Sequence, residues 1–391
     1  MKARTDIIEN VANRYVETGA YASVEWLVRV GGHDWLRGAA GLADPLNGKP
    51  LPEKPIYRLY SMTKPVISAI AMMLIEEGRL HLYDPVAAYL PDFARMEIIA
   101  ADGTLRPASR IMLVEHLLTH RSGLTYGFLT GCAAAARYRE TDLGRSHPPL
   151  KEFIDVVAAL PLAFEPGAEW RYSVATDVVA RIIEIVEDKP LQAVVSERII
   201  GPLGLDDTGF GVPAEARDRL MPMFGNPDLD NLMEIPDGPQ KLTPADVTPH
   251  YPVDEPGFAR GGYGLYSTID DYARIADFLM TGTGKSGDVL LSRHMMRMMW
   301  TNRLPESQLP YGIGPIPFPG YGFALAGRVM IDPSGAMGLT GLGECGWSGA
   351  AGTFFWCDPG EKLVGVVMTQ YLGSRYPMSD EMRNAVYQAL D

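Results

Sequence analysis

The chain has 391 residues, of which 47% are hydrophobic and 21% are charged, and its formal net charge is −13. This composition is typical of a globular protein, and the length indicates one large composite domain or two closely packed ones. The acidic balance and the lack of dense Lys/Arg clusters argue against a nucleic-acid-binding surface and against binding to an acidic surface.

The three cysteines, Cys132, Cys345 and Cys357, form no C-x-x-C pair. Neither a zinc site nor a disulfide framework is therefore predicted, and buried free thiols are expected. Segment 1–21 mixes acidic and basic residues in a helical pattern and has no apolar core of a signal peptide. No stretch approaches the roughly 20 apolar residues of a membrane span. We therefore expect a soluble, cytoplasmic protein.

The first half of the chain begins with a predicted helix in segment 1–21. Alternating residues around Gly31-Gly32 then predict a β-hairpin. The segment from about Met62 to Glu77 is apolar on nearly all sides, so it predicts a central buried helix that ends at Gly78. Between residues 86 and 255, helical patterns alternate with Pro/Gly-rich loops and predict a mainly helical region. These patterns lie at 113–120, 151–160 and 174–188.

The last third of the chain predicts mainly strands. Segment 261–280 reads as a short strand and a helix capped by Ser267 or Thr268. Strand-like runs follow at 321–330, 349–358 and 362–372, and the chain closes with an amphipathic helix at 378–391. Because strands occur at both ends with helices between, we predict a discontinuous α/β domain of α+β type. Its bounds are 1–85 and 256–391, with a mainly helical domain inserted at 86–255.

Ser61 lies three residues before Lys64, at the start of the apolar helix. Two interpretations remain open at this point. Serine is a favoured helix N-cap, and a lysine one turn later is common. A serine at the N-terminus of a buried helix is also well placed as a nucleophile, because backbone N–H groups and the helix dipole stabilise developing negative charge. One S-x-x-K pair among 16 serines and 9 lysines is weak evidence alone.

Three other residues are candidates for a nucleophile or a base. Segment 346–350, GWSGA, nearly matches the G-x-S-x-G nucleophile elbow, which requires a helix after the serine. Here a strand-like run follows, so we expect Ser348 to begin a strand. His120 lies between an apolar helix end and a glycine turn and is expected to be structural. The S-x-x-K pair implies a Lys or a Tyr as the alternative base, and Tyr172, in a turn before a helix, is placed to present a phenol.

Five segments together resemble the serine β-lactamase and penicillin-binding-protein superfamily. They are SMTK, LLTHRSGL, YSV within PGAEWRYSVATDVV, GGYGLYST, and WSG followed by FFWCDPGEKLVGVVMTQ. From about residue 20 to the end, the chain is most similar to the family VIII carboxylesterases, relatives of the class C β-lactamases. The resemblance implies a β-lactamase-like fold, in which an antiparallel sheet flanked by helices is built from both termini. The active site would lie between this domain and the inserted helical domain.

The resemblance also implies roles for individual residues. Ser61 would be the nucleophile, Lys64 its cationic partner and Tyr172 the general base. A free phenol has a pKa of about 10, so a nearby cation is needed to favour the phenolate at neutral pH. The backbone N–H groups of Ser61 and Ala350 would form the oxyanion hole.

The substrate pocket would include Tyr126, Trp347, Ser348 and Gly349. Gly349 would allow the backbone to approach the substrate closely, and Trp347 would offer an apolar wall. Tyr126 is equally compatible with an aromatic residue of the core or surface. Asp177, five residues after Tyr172, is expected to be a helix-start carboxylate rather than a catalytic group.

Two motifs depart from those of class C β-lactamases, which have Tyr-x-Asn and Lys-Thr-Gly. Here residues 172–174 read YSV and residues 347–349 read WSG. The missing Asn and Lys remove groups that would bind a lactam side chain and a β-lactam carboxylate.

We therefore predict a serine carboxylesterase for small, short-acyl esters, with at most weak hydrolysis of nitrocefin-type β-lactams. An acyltransferase, or an amide, D-peptide or β-lactam hydrolase, is the first alternative, and a non-catalytic binding protein is the second. The expected partner is a small-molecule ester, with no nucleic acid, membrane, metal or organic cofactor. The sequence gives no indication of the oligomeric state.

Overall fold

The computed structural model describes residues 6–141, 143–144, 147–233, 240–255, 257–374 and 376–390. The helices, α1 to α11 in chain order, are Asp6–Glu17, Thr63–Glu76, Val114–Leu118, Ala133–Arg139, Leu150–Ala158, Ala175–Glu187, Leu191–Val195, Gly201–Leu203, Ile269–Thr281, Arg293–Met299 and Met378–Leu390. The strands, β1 to β15, are Ser23–Val30, His33–Gly41, Tyr57–Arg58, Glu97–Ile99, Leu105–Pro107, Phe224–Gly225, Tyr266–Ser267, Gly312–Ile313, Ile316–Pro317, Tyr321–Phe323, Arg328–Met330, Cys345–Ser348, Phe354–Asp358, Leu363–Met368 and Tyr371–Leu372. The predicted domain bounds at residues 1, 256 and 391 lie outside the described residues.

Seven strands form one antiparallel sheet in the order β10-β11-β12-β13-β14-β1-β2. The two ends of the chain meet inside this sheet, because β1 pairs with β14 from Glu25↔Met368 to Val30↔Leu363. The predicted hairpin is formed by β1 and β2, which turn at Gly31-Gly32. These observations confirm the predicted fold class, in which one antiparallel sheet is assembled from both termini.

Helices cover both faces of the sheet. Successive side chains of a strand point to opposite faces, so β1 contributes to two separate cores. Val24, Trp26 and Val28 belong to one core with residues of α1 and α11. Leu27 belongs to the other and larger core, which includes residues of α2 and α9. The sheet is therefore buried between two helical layers.

Helix α2 lies inside the larger core, and its residues Thr63 to Leu74 are all buried. Since the helix is apolar on all sides, it packs against α6, α9 and α10 rather than facing solvent on one side. It is followed by Gly78, whose φ of +70° is readily adopted by glycine. A turn of 3₁₀ helix, Tyr60–Met62, leads directly into α2, so Ser61 is attached to one of the most rigid parts of the molecule.

Of the two interpretations left open for Ser61, helix capping is wrong, because the N-cap of α2 is Met62 and makes no side-chain capping bond. Further local predictions are wrong. The run 321–330 is not one strand but the hairpin of β10 and β11, closed by a bond from Ala324 N–H to the Gly327 carbonyl. Ser348 ends β12 instead of beginning a strand. The turn after it is closed by a bond from Gly349 N–H to the Thr353 carbonyl.

The predicted run 362–372 is divided between β14 and β15, and β15 pairs with β6 outside the seven-stranded sheet. The other predicted elements agree with the structure. Thr268 caps α9, since its side chain accepts a hydrogen bond from the Asp271 N–H. Cys345 and Cys357 are buried free thiols as expected, whereas Cys132 is only half-buried. Among the helices of the described segments, none combines the length and apolar character needed to cross a membrane.

Candidate active site

The Lys64 ammonium is the centre of the candidate site. Its Nζ donates to Ser61 Oγ at 3.2 Å, to the Tyr126 hydroxyl at 2.9 Å and to the Gly262 carbonyl at 2.8 Å. An ammonium group has three protons, so these three acceptors use all of them. These contacts connect Lys64 to the candidate nucleophile, to a phenol and to the backbone of the loop at Gly262.

Tyr172 lies beside this cation, as the proposed base must. Lys64 Nζ is 4.6 Å from the centre of the Tyr172 ring. The Tyr172 oxygen accepts a hydrogen bond from Trp347 Nε1 at 3.2 Å. The first is a cation–π contact with the ring, and the second directs the indole N–H at the phenol oxygen. In the described part of the chain its hydrogen bond is to Trp347 and not to Ser61, so the structure brings Tyr172 to the site without joining it to the nucleophile.

Tyr126 is a part of the site and not a surface aromatic. Its hydroxyl contacts Lys64 directly, and burial raises the pKa of Tyr126 well above its ordinary value, with Tyr172 and Asp177 adding to the effect. Tyr126 therefore stays a neutral phenol. Its ring stacks on Phe128 with centres 4.9 Å apart, and this pair extends from the site as an apolar wall.

The loop residue Gly262 is held from its other side by Asp177. The Gly262 N–H donates to Asp177 Oδ1 at 2.9 Å, while its carbonyl accepts from Lys64. Asp177 belongs to the first turn of α6, as expected, but it is completely buried, and this burial raises its pKa. A Cβ on Gly262 would lie 2.5 Å from Asp177 Oδ2, so only glycine fits here. Asp177 thus positions the backbone that positions Lys64.

The predicted oxyanion hole has its two N–H groups available. Neither the Ser61 nor the Ala350 N–H has a hydrogen-bond acceptor among the described residues. Ala350 reaches this position because the end of β12 packs against the segment before Ser61. A Cβ on Gly349 would lie 2.3 Å from the Leu59 carbonyl oxygen. Gly349 therefore permits the end of β12 to pack closely against the backbone of Leu59.

His120 is buried behind Tyr172, with their ring centres 4.8 Å apart. Its Nδ1 is hydrogen-bonded to Ser173 Oγ at 3.2 Å. Burial, together with the positive charge of Lys64, holds the pKa of His120 well below its ordinary value. His120 is therefore a neutral packing partner of Tyr172, in agreement with the structural role expected for it.

Tyr60, the residue before Ser61, has a φ of +47°. This left-handed conformation costs a bulky residue about 1–3 kcal/mol, and such strain is found mainly where surrounding contacts impose it. Here the Tyr60 N–H donates to the Tyr251 hydroxyl at 3.3 Å, and the Tyr60 hydroxyl lies 3.0 Å from His250 Nε2. Contacts of both the backbone N–H and the side-chain hydroxyl thus hold Tyr60 in the conformation that presents Ser61.

The site opens into a cavity of about 750 Å³. All the predicted site residues except Lys64, which lies beneath the surface, line this cavity: Ser61, Tyr126, Tyr172, Trp347, Ser348, Gly349 and Ala350. Phe318 stacks on Trp347 and continues the apolar wall. A volume of this size accommodates a ligand much larger than a small ester.

Sequence reasoning missed Tyr60, Gly262 and His250. Gly262 lies in the segment GGYGLYST, but nothing in that pattern indicates which carbonyl group faces Lys64. Tyr60 adjoins the nucleophile and could have been noted on that ground. His250 comes from a Pro-rich loop without a motif, so no sequence signal pointed to it.

The sequence matches the Beta-lactamase family over residues 8–389. The chain therefore belongs to the β-lactamase family, in agreement with the antiparallel sheet and with the Ser61 and Lys64 pair at the start of α2. Within this family it is similar to esterases, which confirms the resemblance drawn from its motifs.

Three individual proteins show this similarity. An uncharacterized protein of Mycobacterium tuberculosis is 36% identical over 339 residues, which cover 85% of this chain and 81% of the relative. Esterase EstB of Burkholderia gladioli is 30% identical over 365 residues, which cover 90% and 87%. The solved structure of EstCE1, a hydrolase with promiscuous acyltransferase activity, covers 98% of both chains with a TM-score of 0.81 and 26% identity. These relatives support a hydrolase that acts on esters.

Proposed function

We propose that this protein is a serine carboxylesterase that hydrolyses small, short-acyl esters through an acyl-enzyme on Ser61. The observation that carries the proposal is the contact of Lys64 Nζ with Ser61 Oγ, on the floor of a cavity that also contains Tyr172 and two unpaired backbone N–H groups. A nucleophile, a base and an oxyanion hole are the groups that acyl transfer requires.

In the acylation step, the Ser61 proton moves to the Tyr172 oxygen while Oγ forms a bond to the ester carbonyl carbon. The carbonyl oxygen becomes an oxyanion that accepts hydrogen bonds from the Ser61 and Ala350 N–H groups. The bond from carbon to the leaving alcohol oxygen then breaks, and that oxygen takes the proton from Tyr172. The step requires the Ser61 hydroxyl to turn toward Tyr172 when substrate binds, as catalytic hydrogen bonds often tighten only in the complex.

Deacylation repeats these transfers with water in place of the alcohol. Water gives a proton to Tyr172 as its oxygen bonds to the acyl carbon, and the bond from that carbon to Ser61 Oγ breaks. The proton returns to Oγ and the carboxylic acid is released. Lys64 keeps its charge throughout, so it stabilises the phenolate form of Tyr172 in both steps.

Hydrolysis of p-nitrophenyl esters from acetate to decanoate tests the proposal. We expect the rate to be highest at short acyl chains, to vanish in Ser61→Ala, and to fall by about 10²–10⁴-fold in Tyr172→Phe, the usual contribution of a general base. Wild-type activity in Ser61→Ala would exclude the proposed nucleophile. A maximum at long acyl chains would exclude only the short-acyl preference.

We expect at most weak β-lactam hydrolysis, limited to activated cephalosporins such as nitrocefin. Trp347 occupies the place where class C β-lactamases have the lysine of their third motif, and its indole N–H is already donated to Tyr172. Nitrocefin turnover comparable to ester turnover by the purified protein would contradict this part of the proposal.

An acyltransferase is the second candidate, because EstCE1 combines hydrolysis with promiscuous acyl transfer. The acyl-enzyme is the same in both reactions, and only the acceptor differs. Product analysis with an added alcohol or amine separates them. A transfer product that exceeds the free acid at millimolar acceptor would favour the acyltransferase.

A further inference from the structure

A histidine without any motif faces the cavity next to the nucleophile. His250 is only 5% exposed, and it lines the same cavity as Ser61. Its Nε2 lies 3.0 Å from the Tyr60 hydroxyl. Its Nδ1 has no hydrogen-bond partner among the described residues and is not one of the buried unpaired atoms. Tyr60 and Ser61 are adjacent in the chain, so His250 contacts the residue that precedes the candidate nucleophile.

The hydrogen bond to Tyr60 determines which ring nitrogen of His250 carries the proton. Burial raises the pKa of Tyr60 above its ordinary value, so the phenol keeps its proton and needs an acceptor. His250 Nε2 is the acceptor that the described residues offer to it. Burial also lowers the pKa of His250 to about 4, with Arg58 and His147 adding to the effect and Asp246 opposing it. The ring is therefore neutral at pH 7, and when the Tyr60 phenol donates to Nε2 the single N–H of the ring is at Nδ1.

We propose that His250 Nδ1–H is a specificity donor that binds a second carbonyl oxygen of the substrate, so that the preferred esters carry a keto group near the ester bond. The inference rests on the proposed esterase function and defines its substrate class. A carbonyl oxygen accepts hydrogen bonds and cannot donate them, which matches an N–H donor. In this apolar cavity, a substrate without such an oxygen leaves the donor unpaired, and that loss is the basis of discrimination.

The test compares each keto ester with the analogue in which a methylene group replaces the keto carbonyl. One series consists of acetates of hydroxyketones with the keto group one, two or three carbons from the ester oxygen. The other consists of methyl esters of keto acids with the same spacings. The readout is the ratio of kcat/KM for the keto ester to kcat/KM for its analogue. Because intrinsic reactivity is the same for every enzyme variant, it cancels when ratios are compared between variants.

We expect at least one pair to have a ratio that falls about 5- to 10-fold in His250→Phe, the usual effect of one neutral hydrogen bond. Tyr60→Phe should lower the same ratio less, since the loss of the phenol lets the Nδ1 proton move to Nε2. The exposed His294, changed to Phe, is the matched control and should keep every ratio. Thermal unfolding of each variant shows whether it is folded.

An unchanged ratio in His250→Phe for every pair would overturn the proposal. An equal loss of kcat/KM for keto esters and analogues would also overturn it, because it would show a purely structural role. Failure of the esterase assignment has a different signature, since the wild type would then hydrolyse neither the keto esters nor their methylene analogues.

Discussion

Replacing Gly349 by alanine tests how closely the two halves of the oxyanion hole must be held. The added Cβ would lie 2.3 Å from the Leu59 carbonyl oxygen and 2.4 Å from Thr353 Oγ1. A carbon and an oxygen in contact are roughly 3.3 Å apart, so the end of β12 must move by about 1 Å. Ala350 is the next residue and moves with it, while Ser61 stays attached to α2.

A displacement of about 1 Å at a reacting group lowers the rate by roughly 100-fold, which corresponds to about 2.7 kcal/mol in the activation barrier. We therefore expect Gly349→Ala to lower kcat for p-nitrophenyl acetate about 100-fold, with a smaller effect on KM. Overpacking also destabilises the fold by about 1–3 kcal/mol. Urea denaturation measures that loss separately from activity.

Gly209→Ala is the matched control, because its Cβ would meet only the Gly211 carbonyl at 3.8 Å, an ordinary contact. It should keep the wild-type kcat. If folded Gly349→Ala retained kcat within threefold of wild type, the close packing of Gly349 on Leu59 would not be what positions the oxyanion hole.

Three other predictions concern the charge centre and the buried histidine. In the proposed mechanism Lys64 stabilises the phenolate of Tyr172, so Lys64→Met should lower kcat about 10³-fold. Hydrolysis of p-nitrophenyl acetate and circular dichroism measure activity and folding together. Tyr126→Phe removes one of the three acceptors of Lys64 and should lower kcat by about 10-fold or less, which is clearly less than the effect of Tyr172→Phe. A loss equal to that of Tyr172→Phe would show that Tyr126 shares the role of base. The pKa of His250 is about 4 in the folded state and about 6.5 in the unfolded chain. The stability that the neutral ring contributes is therefore complete above pH 6.5 and is lost as the pH falls toward 4. The total loss in the free energy of unfolding is roughly 3 kcal/mol. Urea denaturation at pH 7 and pH 4.5 should show a smaller difference for His250→Phe than for the wild type.

The fold could be predicted because each element has a strong local signal. The alternation on both sides of Gly31-Gly32 and the unbroken apolar run of α2 each indicate one structure. Boundaries were less predictable where turns are formed by glycine in a specific conformation. The sequence pattern predicts one strand where the structure has the hairpin of β10 and β11, and it places Ser348 at the start of a strand instead of at the end of β12. The pattern fails here because it does not show which small residues form the turns.

The residues of the candidate site were also predictable only in part. Ser61 and Lys64 lie on one rigid element, so their spacing in the sequence already predicts their contact. Tyr126, Gly262 and His250 reach the site only through tertiary packing, and no local pattern specifies which of their atoms face Lys64 or the cavity.

Tyr60 shows why the sequence alone leaves Ser61 ambiguous. In sequence, a serine ahead of an apolar helix is an ordinary N-cap, and in the structure that role belongs to Met62 instead. Ser61 is released from capping because the left-handed Tyr60 turns the chain just before it, with its phenol held by His250 and its N–H by Tyr251. The hydroxyl is then free to contact Lys64. The feature that separates Ser61 from an ordinary cap is thus the positive φ of Tyr60. It is supported by residues about 190 positions away, and no local motif encodes it.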